Sequence, residues 1–523
     1  MEKQSQSEET YQEATPKVTV GNTKRRNLIK GLIGLPFLGL FFQHFGQVQD
    51  SGNSDNYLEA LKKLGLDFDE VEKEKQLKPI GDAKTLRIGV VGLGWRGPDL
   101  MRSLGYIDDE LIAEDPYTLE EMKVQEDLNV EIVGVCDLYS LRAERGAKIG
   151  SKKLIGGKIV KVTPPIIYPT YRDMLNNDRI DAIMIATADL WHAEIAIEAS
   201  KRGVHVYCEK PMTRTIEEAV ALRKAIQQSK VVFQLGHQNR QQASYIKAKQ
   251  LLDQGVIGTV SAIETYTDRN SDFGAWIRGI DPKANASNVN WKEYIRNTGK
   301  VPFDLDKFFN WQKYFDFGTG PGGNQFTHAF DGVNQVLGVG IPKSAVALGG
   351  NYYFKDPRDI PDSYNVIYNY PDKGLTLTYD CTLKSRFDRG IHLLGTKAQM
   401  EIGAEVHVFP DLYNEAYMNL QRKEGAPIYT FPFEVEKVDG ISGATANYYK
   451  SRGLGTTLDG GVIVDSTYLH VKEWIDAIRY GTKVSCDIQA GFEESVTFIM
   501  GNLAYQNGKR VDWDETEEKV IMI

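Results

Sequence analysis

The chain has 523 residues and a formal net charge of −9, with 41% apolar, 25% charged and 10% aromatic residues. That balance is globular, with material for two or three domains, and excludes a disordered chain. The acidic charge offers no electrostatic footprint for nucleic acid. None of the four cysteines lies in a C-x-x-C pair, so neither a zinc site nor a thioredoxin-like motif is suggested and no metal is expected. Cys136 and Cys208 fall in apolar strand-like runs and read as buried free thiols.

Residues 1–45 read as an extension outside the fold. A polar, glutamate-rich start gives way to "TKRRNLIKGLIGLPFLGLFF", where Arg25 and Arg26 precede an apolar run from Gly31 to Phe42. The run is short for a membrane span and right for a signal segment. It resembles a bacterial twin-arginine export signal. The expectation is passage through the twin-arginine export machinery to the periplasm. No A-x-A-like cleavage site follows Phe42, so an uncleaved signal could serve as a membrane anchor. Residues 46–85 read as a linker with one short helix, Tyr57 to Leu64.

Residues 86–240 read as a nucleotide-binding domain. The β-branched run Leu86 to Val91 leads into Gly92-x-Gly94-x-x-Gly97, and a helix with Pro98 in its first turn follows. Gly92 permits the tight turn, Gly94 lets the backbone approach a pyrophosphate, and Gly97 lets helix and strand pack closely. The pyrophosphate would meet the helix N-terminus. Trp95 and Arg96 stand in the same turn and are counted with the cofactor-binding residues. A second strand, Val130 to Cys136, ends at Asp137, where a carboxylate can accept ribose hydroxyls and repel a 2′-phosphate. NAD is therefore the expected cofactor, and Arg142 nearby leaves NADP open. Asp137 stands 40 residues past Gly97 (137 − 97), against about 20 in the usual fingerprint. An acidic insertion, Ile107 to Asn129, accounts for the excess.

Further on, apolar strands at 181–187, 204–210 and 231–240 alternate with helices at 192–203 and 216–229. This pattern predicts an α/β fold, a doubly wound parallel Rossmann sheet. Thr187, the pair Glu209–Lys210 and Gly236–His237 would lie at carboxyl ends of strands, the ligand edge of such a sheet. Lys210 is the unusual member, because lysine is among the residues most costly to bury.

The stretches "GVVGLGWRG", "ATADLWHAEIAIEASKRGVHVYCEKPMT" and "GGNQFTHAFDGVNQVLG" together resemble the Gfo/Idh/MocA family, which includes glucose–fructose oxidoreductase and inositol dehydrogenase. "HVKEWIDAIRYGTKVSCDIQAGFEESV" resembles that family's closing helical segment. The resemblance implies that Lys210 lies beside the nicotinamide and contacts the reacting hydroxyl. It also implies that His192 lies near the nicotinamide; a helix-start histidine is the other reading. In the second domain the family carries an acid, a histidine four residues on, and another acid three after that. Here the positions are Asn324, His328 and Asp331. This spacing would put all three on one helix face. His328 suits a proton shuttle, Asp331 could orient its ring, and Asn324 can hydrogen-bond a hydroxyl without taking its proton.

Residues 241–515 read as an α+β domain with a mostly antiparallel, open-faced sheet and the closing helical segment. "YPDKG" marks a hairpin turn between two of its strands. By resemblance the open face would mediate dimers or tetramers. Trp276, Trp291, Trp311, Tyr314 and Phe315 crowd between the strands. Their faces suit sugar rings, and packing or a subunit interface is the other reading.

The function expected is an NAD(P)-dependent oxidoreductase acting on a small-molecule sugar or polyol with a tightly bound cofactor. Two other readings stand beside it. One is an NAD-dependent glycosidase working by transient oxidation and elimination; the other is a dinucleotide-binding protein without chemistry, for which Asn324 is the support.

Overall fold

Six apolar runs pair in parallel: Leu86–Val91 (β1), Val130–Cys136 (β2), Ile166–Ile167 (β3), Ala182–Ile185 (β4), His205–Glu209 (β5) and Phe233–Gly236 (β6). Their order is β3-β2-β1-β4-β5-β6. Strands β1, β4 and β5 are buried almost throughout, as a parallel sheet covered on both faces requires. Helices Arg96–Ser103 (α1), Ser140–Ile149 (α2), His192–Lys201 (α3) and Ile216–Gln228 (α4) make the crossovers. The order reverses between β1 and β4, the switch point where such sheets bind ligands. The computed structural model describes residues 61–66 and 84–523, except 116, 178, 388, 412, 419–424, 432–454 and 460–461. The twin-arginine segment and most of the linker lie outside the described residues; of the linker helix, 61–63 are described and helical.

The acidic insertion before β2 holds two short helices, Asp109–Glu114 and Tyr117–Lys123, and one expectation changes. The strand expected over 231–240 stops at Gly236, and Gln238–Gln241 is a 3₁₀ turn. The His237 side chain between them is buried among Asp331 and Glu494, so tertiary ion pairing takes the chain out of the sheet.

The second sheet has ten strands. They are Val260–Asp268 (β7), Ser344–Gly350 (β8), Ser363–Tyr370 (β9), Leu375–Thr382 (β10), Ile391–Gly395 (β11), Ala398–Ile402 (β12), Val406–Pro410 (β13), Tyr429–Phe431 (β14), Val511–Asp514 (β15) and Lys519–Met522 (β16). The order is β14-β13-β12-β11-β7-β10-β9-β8-β15-β16. Only β7 and β10 pair in parallel. The β9–β10 hairpin turns at Pro371–Lys373 and Gly374. Along β9 the buried residues Tyr364, Val366, Tyr368 and Tyr370 alternate with exposed Asn365, Ile367 and Asn369. One face therefore packs on helices Ala243–Asp253 (α5), Thr327–Leu337 (α6) and Ile488–Asn507 (α8), and the other is open.

One helix ties the halves together. Ser466–Tyr480 (α7) is capped by the Asp465 carboxylate, which accepts from the Thr467 and Tyr468 N–H groups. Its apolar stripe, Tyr468, Val471, Trp474 and Ile475, joins the core of Ile88, Val90, Leu100 and Tyr207. The Trp474 ring stands edge-on to Tyr207 of β5 at 5.7 Å, and Arg102 of α1 pairs with Asp465 at 3.1 Å. The carboxyl-terminal chain thus helps to hold the nucleotide domain. Trp474→Ala should lower stability by about 3–5 kcal/mol, the cost of emptying a buried aromatic site. Urea unfolding followed by far-UV circular dichroism checks this, and a loss under about 1 kcal/mol would mean α7 is dispensable to that core.

Candidate active site

The glycine turn forms the floor of a cavity of about 760 Å³. Gly92 has φ +88°, and a Cβ there would lie 2.4 Å from the Ala186 carbonyl oxygen. A Cβ at Gly97 would lie 2.1 Å from the Gly92 carbonyl oxygen. At Gly94 the space is open toward the cavity, with the Arg142 side chain as nearest neighbour at 3.9 Å. Close packing behind the turn and room before it are what a backbone that cradles a pyrophosphate needs. The first turn of α1 has no side-chain cap, which leaves its N–H groups for an anion. The residues present thus fit a dinucleotide.

Asp137 does structural work as well. Its Oδ2 accepts from the Leu93 N–H at 2.7 Å and its Oδ1 from the Tyr139 N–H at 2.8 Å. It pins the glycine turn to the end of β2 and still lines the cavity. Arg96 bridges the turn to β5 through an ion pair with Glu209 at 2.7 Å. Gln238 donates to the same carboxylate oxygen at 3.0 Å. Trp95 is exposed on the rim and meets Phe273 edge-on at 6.4 Å. Thr187 lines the cavity. The His192 ring is buried with Nδ1 2.7 Å from the Pro211 carbonyl and Nε2 3.1 Å from that of Thr187. It fastens the β4 and β5 loops together at the cavity wall.

At the far end Lys210 Nζ donates to the main-chain carbonyl of Asn324 at 3.0 Å. Burial pushes the ammonium below its ordinary value, partly offset by Asp189, Glu209 and Glu494. Lys210, Asn324 and His328 share the cavity wall. Of the expected helix face, Asn324 and His328 line the cavity and Asp331 does not. Asn324 lies in a π-helical turn, Gly322–Phe326, ahead of α6. Its side chain turns to Asp189, donating to Oδ2 at 3.2 Å, while Thr319 donates to the same oxygen at 2.7 Å. Asp331 does not orient His328 but pairs with Arg240 at 2.6 Å. Burial, then the positive charge of Lys210 and His237, hold His328 well below its ordinary range, so it is a neutral ring at physiological pH rather than a group titrating there.

Sequence reasoning missed Asp189. It is buried on the cavity wall, and burial raises its carboxyl above the usual range despite nearby His192 and Lys210. An acid thus stands beside Asn324, contributed by the other domain. The signal was present in "ATADLWH", within the stretch that carries the family resemblance. Behind His328, His237 meets its ring edge-on at 5.4 Å. The ligand atoms of His237, Asp331 and Glu494 lie within 4.8 Å of one another. Arg240 already neutralises Asp331, and the group reads as an ion network. Asp331 and Glu494 hold the His237 imidazolium above its ordinary value against the cost of burial.

The aromatic stretch divides. Trp276 is fully buried, and Trp291, Tyr294, Phe308 and Phe317 pack on one another. The Tyr314 hydroxyl is bound to Asp306. Trp311 is the member of the expected set that reaches the cavity wall.

Residues 86–237 match the model of the Gfo/Idh/MocA oxidoreductase family, NAD-binding Rossmann fold. The chain is 27% identical over 175 residues to inositol 2-dehydrogenase of Salmonella typhimurium, covering 33% of this chain and 43% of that one. It is 28% identical over 183 residues to levoglucosan dehydrogenase of Pseudarthrobacter phenanthrenivorans, covering 34% and 41%. The chain thus spans less than half the length of these curated relatives. The fold is similar to the WlbA dehydrogenase of Bordetella pertussis in complex with NADH and UDP-GlcNAcA (TM-score 0.52, 16% identity, 82% of this chain and 99% of that one). It is also similar to an oxidoreductase domain protein of Kribbella flavida (TM-score 0.56, 16% identity, 82% and 100%).

Gly97→Ala should weaken NADH binding by at least about tenfold, or about 1.4 kcal/mol, because its Cβ would displace the turn. Titration of NADH fluorescence checks this, and unchanged affinity would mean the turn is not the cradle.

Proposed function

We propose, on the premise of an NAD-binding Rossmann domain of the Gfo/Idh/MocA type, that the chain is an oxidoreductase moving hydride between a sugar or polyol carbon and a tightly held nicotinamide. The observation that carries this reading is Lys210: an ammonium at the carboxyl end of β5, lining the same cavity as the glycine turn and anchored by a carbonyl of the second domain. The relatives named for inositol and levoglucosan, both polyhydroxylated, support the substrate class.

Bound nicotinamide supplies a two-electron hydride acceptor and donor. Oxidation of a carbinol removes its C–H hydrogen with both bonding electrons and leaves the hydroxyl proton to be taken up. Lys210 Nζ takes that proton in oxidation and returns it in reduction, and the depressed affinity of the buried amine for protons suits both directions. His328, kept neutral, offers a ring nitrogen to orient a hydroxyl without adding a second charge beside the ammonium. Asn324 and Thr319 hold Asp189 in place, and its charge favours the protonated lysine.

The reading includes export. Arg25–Arg26 and the apolar run after them support passage of the folded, loaded protein to the bacterial periplasm, with the run as a potential anchor. Among the described residues no helix is long and apolar enough to cross a membrane. The open sheet face, with Val346, Leu348 and Ile367 exposed, supports assembly into a dimer or tetramer.

Lys210→Met should lower turnover on the responsive sugar by a factor on the order of 10²–10⁴, with NADH affinity changed by less than about threefold. In the wild type, oxidation needs the neutral amine. Its rate should therefore rise with pH with a midpoint below the ordinary lysine value of 10.5, while reduction falls across the same window. A sugar panel scored by absorbance of the bound cofactor tests both, and a Lys210→Met enzyme with an unchanged pH profile would remove the lysine from the chemistry.

A further inference from the structure

The segment between β7 and α6 leaves the second domain and crosses onto the nucleotide domain. Tyr139 at the end of β2 donates through its hydroxyl to Asp281 at 2.9 Å. Backbone bonds join Ser140 N–H to the Asn288 carbonyl at 2.9 Å and Asn290 N–H to the Leu138 carbonyl at 2.7 Å. Arg172 pairs with Glu293 at 2.7 Å, and Asn297 donates to Glu194 at 2.6 Å. The segment is thus fastened along the edge where the adenosine half of a dinucleotide would lie.

It carries Arg278 into the cavity. The Arg278 backbone N–H donates to the Asn310 side chain at 3.0 Å, and Nη1 donates to Gln312 at 2.6 Å. Nε is shielded from solvent and has no hydrogen-bond partner. No carboxylate among the described residues lies within ion-pair distance of this guanidinium. Burial, with Arg269 and Arg142 nearby, lowers its pKa to about 10. A cation so placed lacks its counter-charge. Its neighbours fix where that charge would lie. The guanidinium is 5.6 Å from the Phe273 ring centroid, and Phe273 meets Trp95 of the glycine turn. Arg142 is the side chain nearest to a Cβ built on Gly94. It packs on Phe309 at 4.8 Å and likewise has no carboxylate partner among the described residues.

We propose that Arg278, delivered by this clasp and seconded by Arg142, is a second anchor for the cofactor's pyrophosphate beside the glycine turn, making the dinucleotide a clamped, slowly exchanging group. The inference rests on the dinucleotide reading and deepens it. Guanidinium groups suit paired phosphate oxygens through their planar fork. A pyrophosphate would then be held by the backbone N–H groups of the turn and by two guanidinium groups together, and its release would require those contacts to break.

The full chain, loaded with NADH, is chased with excess NAD⁺, and the loss of NADH fluorescence is followed. Arg278→Gln should release NADH roughly 10- to 100-fold faster than the wild type. It should weaken ADP-ribose to a similar degree and leave adenosine, which has no phosphate, within about twofold. Arg278→Lys, which keeps the charge and loses the fork, should fall between. Melting temperature identifies a glutamine variant that fails to fold, and the lysine variant then decides. NADH release within about twofold of wild type in both variants overturns the proposal. So does equal weakening of adenosine, or a defect confined to the binding of a uronate, which would assign the arginine to a substrate carboxylate. A wild-type chain that binds neither NADH nor NAD⁺ would instead sink the dinucleotide reading itself.

Discussion

The site is organised by one constraint: a positive charge is kept at a partly buried sheet edge. Lys210 comes from the nucleotide domain, and its hydrogen-bond acceptor is the Asn324 carbonyl in the second. Burial lowers the ammonium's hold on its proton, while Asp189, Glu209 and Glu494 restore part of it. Burial, and after it the charges of Lys210 and His237, push His328 to its neutral form. Glu209 is shared with Arg96 of the glycine turn. The same carboxylate therefore links the turn that would hold the pyrophosphate to the lysine that would hold the hydroxyl.

That arrangement needs both halves of the chain at once. The nucleotide sheet gives its carboxyl edge, α6 and the π turn before it give His328 and the Asn324 carbonyl, and α7 fills the core beneath β1 and β5. The segment carrying Arg278 lines the same cavity. Residues more than a hundred positions apart therefore meet in one cavity. The interdomain boundary is a packed core reinforced by the buried Arg102–Asp465 pair, a geometry suited to holding a cofactor in place.

The fold was largely legible because parallel strands buried on both faces read as continuous apolar runs. "LRIGVV", "AIMI" and "HVYCE" are such runs, and the alternating strand β9 declares an open-faced sheet by the same logic. The glycine turn was legible because its three spacings answer to backbone geometry alone. Side-chain destinations were not. Helical spacing places Asn324, His328 and Asp331 together, yet the first gives its amide to Asp189 and Arg240 captures the third. Aromatic richness in the 273–317 segment suggested sugar faces, whereas most of those rings serve as the clasp's own core.

The sequence by itself determined the two sheets, the cradle at Gly92–Gly97 and the placing of Lys210 at a strand's end. Each follows from local pattern, because strand burial, tight turns and proline boundaries act within a few residues. The tertiary structure alone decided which charges are paired. Glu209 goes to Arg96, Asp331 to Arg240 and Asp189 to Asn324 and Thr319, while Arg278 goes to no described carboxylate. Pairing depends on distances across the domain boundary and on how much water each group loses there, and neither quantity is written in the spacing of residues along the chain.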